Sequence, residues 1–124
     1  MAKLWNQQGI RTITQKLIQT GNSGISEDIE QHRQIMQMGW FPEDGSRLTM
    51  PEIFSYPASP HLAAKIDGRD VDFAKIAQAT QQLAERYDAV LLEGAGGLMV
   101  PLTDSLLSID YAAEKNFPVI LVSS

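Results

Sequence analysis

The run Ala89-Val90-Leu91-Leu92 ends on a carboxylate, Glu93, and is followed by Gly94-Ala95-Gly96-Gly97. Such a turn bares backbone N–H groups and tolerates positive φ, so an anion can approach the main chain closely. The glycines alone would also suit a mobile loop, but at the carboxyl end of a strand Glu93 is poised to hold Mg²⁺ or a substrate amine, which favours the functional reading. Lys16, followed by Thr20 and Gly21, is the second candidate. A lysine, a hydroxyl and a glycine loop offer a compact cation and a donor to an anionic substrate or phosphate, although lysine at a strand end is commonly just solvated. Asp28 is the third: an acid in the first turn of a helix that the dipole favours, or a metal-binding group. His32 has no second His, Asp or Glu at zinc spacing, and His61 is far off in sequence, so neither is a metal ligand by motif. His61 reads as a first-turn polar residue or a ligand contact.

These groups need a scaffold, and the chain supplies an alternation of strands and helices. Residues 2–8 read as the last turns of a helix stopped by Gly9. Ile10 to Leu17 is rich in β-branched residues and predicts a strand that delivers Lys16 at its end; Gln19 to Gly24 reads as a loop. Ser26 caps a helix expected to run to about Met38, with Ile29, Ile35 and Met36 buried and His32 and Arg33 on an exposed or half-exposed face. Residues 40–51 read as a loop whose aromatics need cover. A short strand spans Ile53 to Tyr56, and Ser59-Pro60 opens another helix. Asp72 caps a long helix whose stripe of Phe73, Ile76, Ala77, Thr80, Leu83, Ala84 and Tyr87 is core. That helix feeds the strand 89–92, a crossover unit. Ser108 caps a helix through Glu114, and Val119 to Val122 predicts a second all-apolar strand. Strands without a polar face belong in a parallel sheet covered on both sides, and ligands of such sheets bind at the strands' carboxyl ends.

The 124 residues carry a net charge of -5 with their ten basic residues scattered, which argues against nucleic acid as a partner. There is no cysteine, so thiolate chemistry and disulfides are excluded. No apolar run approaches a membrane span and the N-terminal residues lack a signal peptide's apolar core, so no membrane partner and a cytoplasmic location are expected.

Lys16-Leu17-Ile18-Gln19-Thr20-Gly21, Ser26-Glu27-Asp28, Tyr56-Pro57-Ala58-Ser59-Pro60-His61-Leu62-Ala63-Ala64 and Leu92-Glu93-Gly94-Ala95-Gly96-Gly97-Leu98-Met99-Val100-Pro101-Leu102 follow one another as in the dethiobiotin synthetase family, which the chain resembles over essentially its full length. Leu17 departs from the proline most of that family carries. The resemblance implies a P-loop NTPase-like α/β fold, here a partial parallel sheet with helices on both faces, residues 1–124 forming a single partial domain from the family's central part. It implies a cyclo-ligase of biotin biosynthesis, closing a cyclic urea on 7,8-diaminononanoate with CO₂, ATP as co-substrate and Mg²⁺, in a homodimer. It assigns catalysis to Lys16, substrate contact to Thr20, metal binding to Asp28 and Glu93, and ATP binding to Asp28, Glu93, Gly94, Ala95 and Gly96. The family also carries a phosphate loop. No G-x-x-x-x-G-K-[ST] occurs in this sequence, which is expected to begin inside the helix after that loop and to bind ATP weakly or not at all in isolation. Two alternatives are another P-loop-type amide-forming synthetase and a catalytically silent homologue that pairs with a complete one. An in-frame phosphate loop upstream of Met1 would separate the last from the first.

Overall fold

The computed structural model describes residues 1–121. The first strand is β1 (Thr12–Lys16), preceded by the short helix α1 (Ala2–Gln7). It pairs in parallel with β4 (Ala89–Glu93), Thr12 opposite Ala89 and Lys16 opposite Glu93. After a bend at Leu17 the chain continues as β2 (Ile18–Thr20), which pairs in parallel with β3 (Glu52–Phe54). Gln19 and Thr20 thus lie in a strand where their turn-forming neighbours predict a loop, because pairing with β3 outweighs local preference.

Every residue of β1 is buried. Side chains alternate across a strand, so Thr12, Thr14 and Lys16 face one way and Ile13 and Gln15 the other. On the first side lies α2 (Glu27–Met36); on the second lies α5 (Phe73–Arg86), whose Thr80 donates to Gln15 Oε1 at 2.7 Å. Gln15 also donates to the Leu48 carbonyl at 2.7 Å, so its buried amide is paired at both ends.

Helix α2 begins where expected: Ser26 Oγ accepts from the Ile29 N–H. It stops two residues early, at Met36, because Gln37 takes the left-handed conformation at φ 58°. Its buried stripe is Ile29, Arg33 and Met36. Ile35, expected inside, is 62% exposed, and Arg33, expected outside, is 3% exposed. The exchange follows from Asp44, which neutralises Arg33 and lets a guanidinium occupy a core position. Asp44 comes from α3 (Pro42–Gly45), a short helix inside the stretch read as loop. There Phe41 is covered by Tyr87, stacked at 5.9 Å, while Trp40 stays 52% exposed.

Helices α4 (Pro60–Asp67) and α6 (Ser108–Glu114) complete a core of Ile18, Phe54, Ala63, Ala64, Ile76, Leu102 and Tyr111. The cap of α6 is Leu107, not Ser108, and Ser59 makes no side-chain cap bond. On α5, Asp72 Oδ1 accepts from Lys75 N as read, and Ile76 and Leu83 are buried, but Ala84 is exposed.

The apolar strands depart most from expectation. β4 is half-buried along its apolar residues, since β1 covers one edge and the other opens on a cleft of about 970 Å³. Residues 119–121 form no strand, and Val119, Ile120 and Leu121 are exposed along that cleft; Val122 lies outside the described residues. Among the described residues no helix is long and apolar enough to cross a membrane.

Candidate functional site

Because β1 and β4 are parallel and in register at their ends, Lys16 and Glu93 leave the sheet side by side on one rim. α2 brings a second carboxylate across the same rim. Lys16 Nζ lies 2.6 Å from Asp28 Oδ2 and 3.4 Å from Glu93 Oε1, and donates to the Gly94 carbonyl at 3.0 Å. These three acceptors match the three donors of an ammonium. The lysine side chain is only 7% exposed, whereas Asp28 and Glu93 reach solvent. The solvated-lysine alternative therefore does not hold. One cation between two carboxylates leaves a surplus negative charge on the rim.

Beyond Glu93 the chain turns tightly. Gly96 has φ +86°, and a Cβ there would lie 2.8 Å from Val100 Cγ2, so both backbone and space require glycine. Among the described residues the N–H groups of Gly94, Ala95, Gly96 and Gly97 donate to no protein acceptor. The turn and Lys16 both open onto the large cleft. A smaller hollow of about 570 Å³, lined by Arg47, Glu52, Arg69 and Lys75 among others, lies away from this rim. Its charges are partly paired, Glu52 with Arg69 at 2.9 Å and Lys75 at 3.6 Å.

Thr20 is not part of this cluster. It ends β2 opposite Phe54 and, among the described residues, makes no hydrogen bond with Lys16, Asp28 or Glu93. His61 instead meets Asp104, Nε2 to Oδ1 at 2.9 Å.

The sequence assigns His32 and Arg33 no role in the site, yet both touch the site or its support. His32 Nε2 lies 2.5 Å from Glu93 Oε2 and its Nδ1 2.8 Å from Thr14 Oγ1. The hydrogen bond from His32, against partial burial and aided by the charge of Lys16, holds the Glu93 carboxyl below its ordinary range. Arg33 grips Asp44 with Nε at 2.9 Å and Nη2 at 2.7 Å, and donates through Nη1 to Thr14 Oγ1 at 2.9 Å. Burial alone would raise the Asp44 carboxyl, but hydrogen bonds from Arg33, Thr49 and the Phe41 N–H outweigh it and hold it low. One signal was available: His32 follows Asp28 by four residues on a helix and Thr14 precedes Lys16 by two on a strand, so each pair shares a face.

Asp28 and Glu93 converge on one point, the Lys16 ammonium, and oxygen donors of this kind suit Mg²⁺. Among the described residues no group of three or more His, Cys, Asp or Glu side chains is placed to hold a metal. The residues thus fit Mg²⁺ only as a partial site that needs oxygens from a ligand.

Parallel strands flanked by helices, with acid, lysine and glycine turn at the strands' carboxyl ends, make this a P-loop NTPase-like α/β domain, and the sequence model of the AAA domain family matches residues 5–124: the chain belongs to that family. It is homologous along its length to proteins named ATP-dependent dethiobiotin synthetase. It is 48% identical to that of Chlorobaculum tepidum over 124 residues, all of this chain and 52% of the relative. With a second such protein, from Pasteurella multocida, it shares 50% over 123 residues, 99% of this chain and 58% of the relative. With that of Anoxybacillus flavithermus it shares 37% over 120 residues, 92% of this chain and 51% of the relative. The chain spans about half the length of the curated relatives it matches.

Proposed function

We propose that this chain supplies the lysine–carboxylate rim of a dethiobiotin synthetase, which forms a cyclic urea from 7,8-diaminononanoate and CO₂ at the expense of ATP. The observation that carries this reading is the register of β1 and β4, which sets Lys16 opposite Glu93 with Asp28 across the rim. In this chemistry one substrate amine attacks CO₂, the carbamate is phosphorylated, and the second amine expels phosphate as the ring closes. Each stage gathers anionic oxygens, and a nearly buried ammonium fixed in advance is a strong source of stabilisation for them.

Lys16 is the catalytic residue in this reading. On ligand binding it exchanges some carboxylate contact for the carbamate or phosphate oxygens. The free N–H groups of Gly94, Ala95 and Gly96 receive nucleotide oxygens, and Asp28 and Glu93 take part in nucleotide and metal binding. Mg²⁺, when bound, would be held by Asp28 and Glu93 and would neutralise phosphate charge. Thr20 contacts the amine substrate from the end of β2, outside the hydrogen-bonded cluster. Small water-soluble substrates fit a cytoplasmic protein. Ile35, Met38 and Trp40, exposed at and beyond the end of α2, support a homodimer in which a second copy covers them.

The test is product formation. Joined to the segments by which its relatives exceed it in length, the chain is expected to convert labelled CO₂ and 7,8-diaminononanoate into labelled dethiobiotin, with ATP consumed in step. ATP consumption driven by a different acid-and-amine pair, with no labelled cyclic urea, would overturn the reading in favour of an amide-forming synthetase.

A further inference from the structure

The side chain facing the outer oxygen of Glu93 is His32, and what decides its protonation lies deeper. Arg33 is fixed by its two-pronged grip on Asp44 and donates to Thr14 Oγ1 at 2.9 Å. A guanidinium only donates, so the Thr14 oxygen is the acceptor there. Thr14 keeps one proton to give, and among the described residues the remaining polar atom in reach is His32 Nδ1 at 2.8 Å. If Nδ1 carried a proton, Thr14 would receive two donors and its own hydroxyl proton, in a residue 8% exposed, would have no acceptor. Nδ1 is therefore the acceptor, which leaves the ring proton on Nε2, facing Glu93 Oε2 at 2.5 Å.

We infer that His32 is a positioning residue for Glu93: the chain Asp44, Arg33, Thr14 fixes its Nε2–H tautomer, and that N–H pins Oε2 so that Oε1 stays turned toward Lys16. Direction runs one way along this chain, from a buried ion pair to the rim. A histidine free to choose tautomers would present Nε2 as an acceptor for part of the time, and two acceptors face to face would push the carboxylate off the rim. The same fixation explains why a polar column of Arg33 and Thr14 replaces apolar packing between β1 and α2. The pinning and tautomer stand on geometry alone; the consequence for turnover rests on the function proposed above.

The experiment uses the full chain labelled with ¹⁵N-histidine and with ¹³C at glutamate Cγ. The sequence has two histidines, so His61→Gln assigns the His32 signals. At about pH 8, above the ordinary histidine value, long-range ¹H–¹⁵N spectra are expected to show His32 Nε2 protonated and Nδ1 bare. Thr14→Ser is expected to keep that pattern, and Thr14→Val to convert it to the mixture of a free imidazole. In His32→Leu the Glu93 Cγ relaxation is expected to report rotamer averaging, while His32→Gln, whose amide retains a donor, restores order in part. Should Thr14→Val unfold the chain, the unaltered protein, Thr14→Ser and the His32 pair still decide the matter. A protonated Nδ1 in the unaltered protein, or a Glu93 side chain equally ordered in His32→Leu, overturns the inference. In a complete active form, kcat of His32→Leu is expected to fall about tenfold, as for an aiming group, with KM for ATP little changed and His32→Gln in between; absence of any ring-closing activity would overturn the proposed function and leave the spectroscopic result intact.

Discussion

Arg33 and Asp44 show how a charged residue comes to sit in the core. Removing either partner leaves a buried, uncompensated charge, so Asp44→Asn and Arg33→Leu are each expected to lower unfolding free energy by about 3–5 kcal/mol, read from urea denaturation. The companion change Ile35→Ala, at a 62% exposed position, is expected to cost far less, which separates the observed stripe from the one its apolar residues predict. Gly96 is tested in the same way. With φ at +86° and Val100 2.8 Å from an added Cβ, Gly96→Ala combines backbone strain with a clash and is expected to cost about 1–3 kcal/mol. A Gly97→Ala control, where no neighbour lies within 4 Å, is expected to be milder.

At the scale of elements, the helix caps and the strand that delivers Lys16 were legible because their causes are local. Ser26 receives the Ile29 N–H and donates to Gln19 Oε1 at 2.6 Å, so Ser26→Ala loses a cap and orphans a buried acceptor. It is expected to destabilise α2 by about 1–3 kcal/mol, seen as lower thermal stability with unchanged folded helicity. Arg33 was misplaced because its burial depends on Asp44, eleven residues away in another helix, which periodicity does not register. Gln19 and Thr20 read as loop because the partners that make them a strand are Ile53 and Phe54. The all-apolar runs at 89–92 and 119–121 announced a covered sheet, but composition states only what a segment prefers, and β4 here has one neighbour. The facing of Lys16 and Glu93 was legible for a different reason: both end strands that parallel pairing puts on one rim. The role of His32 was not legible because its partners are a hydroxyl and one carboxylate on other elements, which no metal-ligand spacing registers.

For the whole molecule, four carboxyls tie stability to pH, one of them Asp67, held low by hydrogen bonds from the N–H and hydroxyl of Ser55. Asp44 and Glu93 are held low as described, and Glu43, despite the opposing effect of burial, is held low by hydrogen bonds from Tyr87 and Arg86. The same contact pushes the Tyr87 hydroxyl up to about 12, with burial the larger cause. A folded-state value below the unfolded one gives stability that is fully present above the ordinary carboxylate range and is lost as pH falls through the folded value. Tm is therefore expected to stay level from neutral pH to about 5 and to fall steeply below about 4; a Tm rising on acidification would contradict this assignment. The proposed chemistry converges on the lysine held between two carboxylates, and the most direct measurement is ring closure by Lys16→Ala beside the unaltered protein, each joined to the segments by which the relatives exceed this chain in length. The account predicts a folded variant, shown by an unchanged circular dichroism spectrum, whose kcat for dethiobiotin formation falls by about 10²- to 10³-fold. Full urea-forming activity in that folded variant would contradict it.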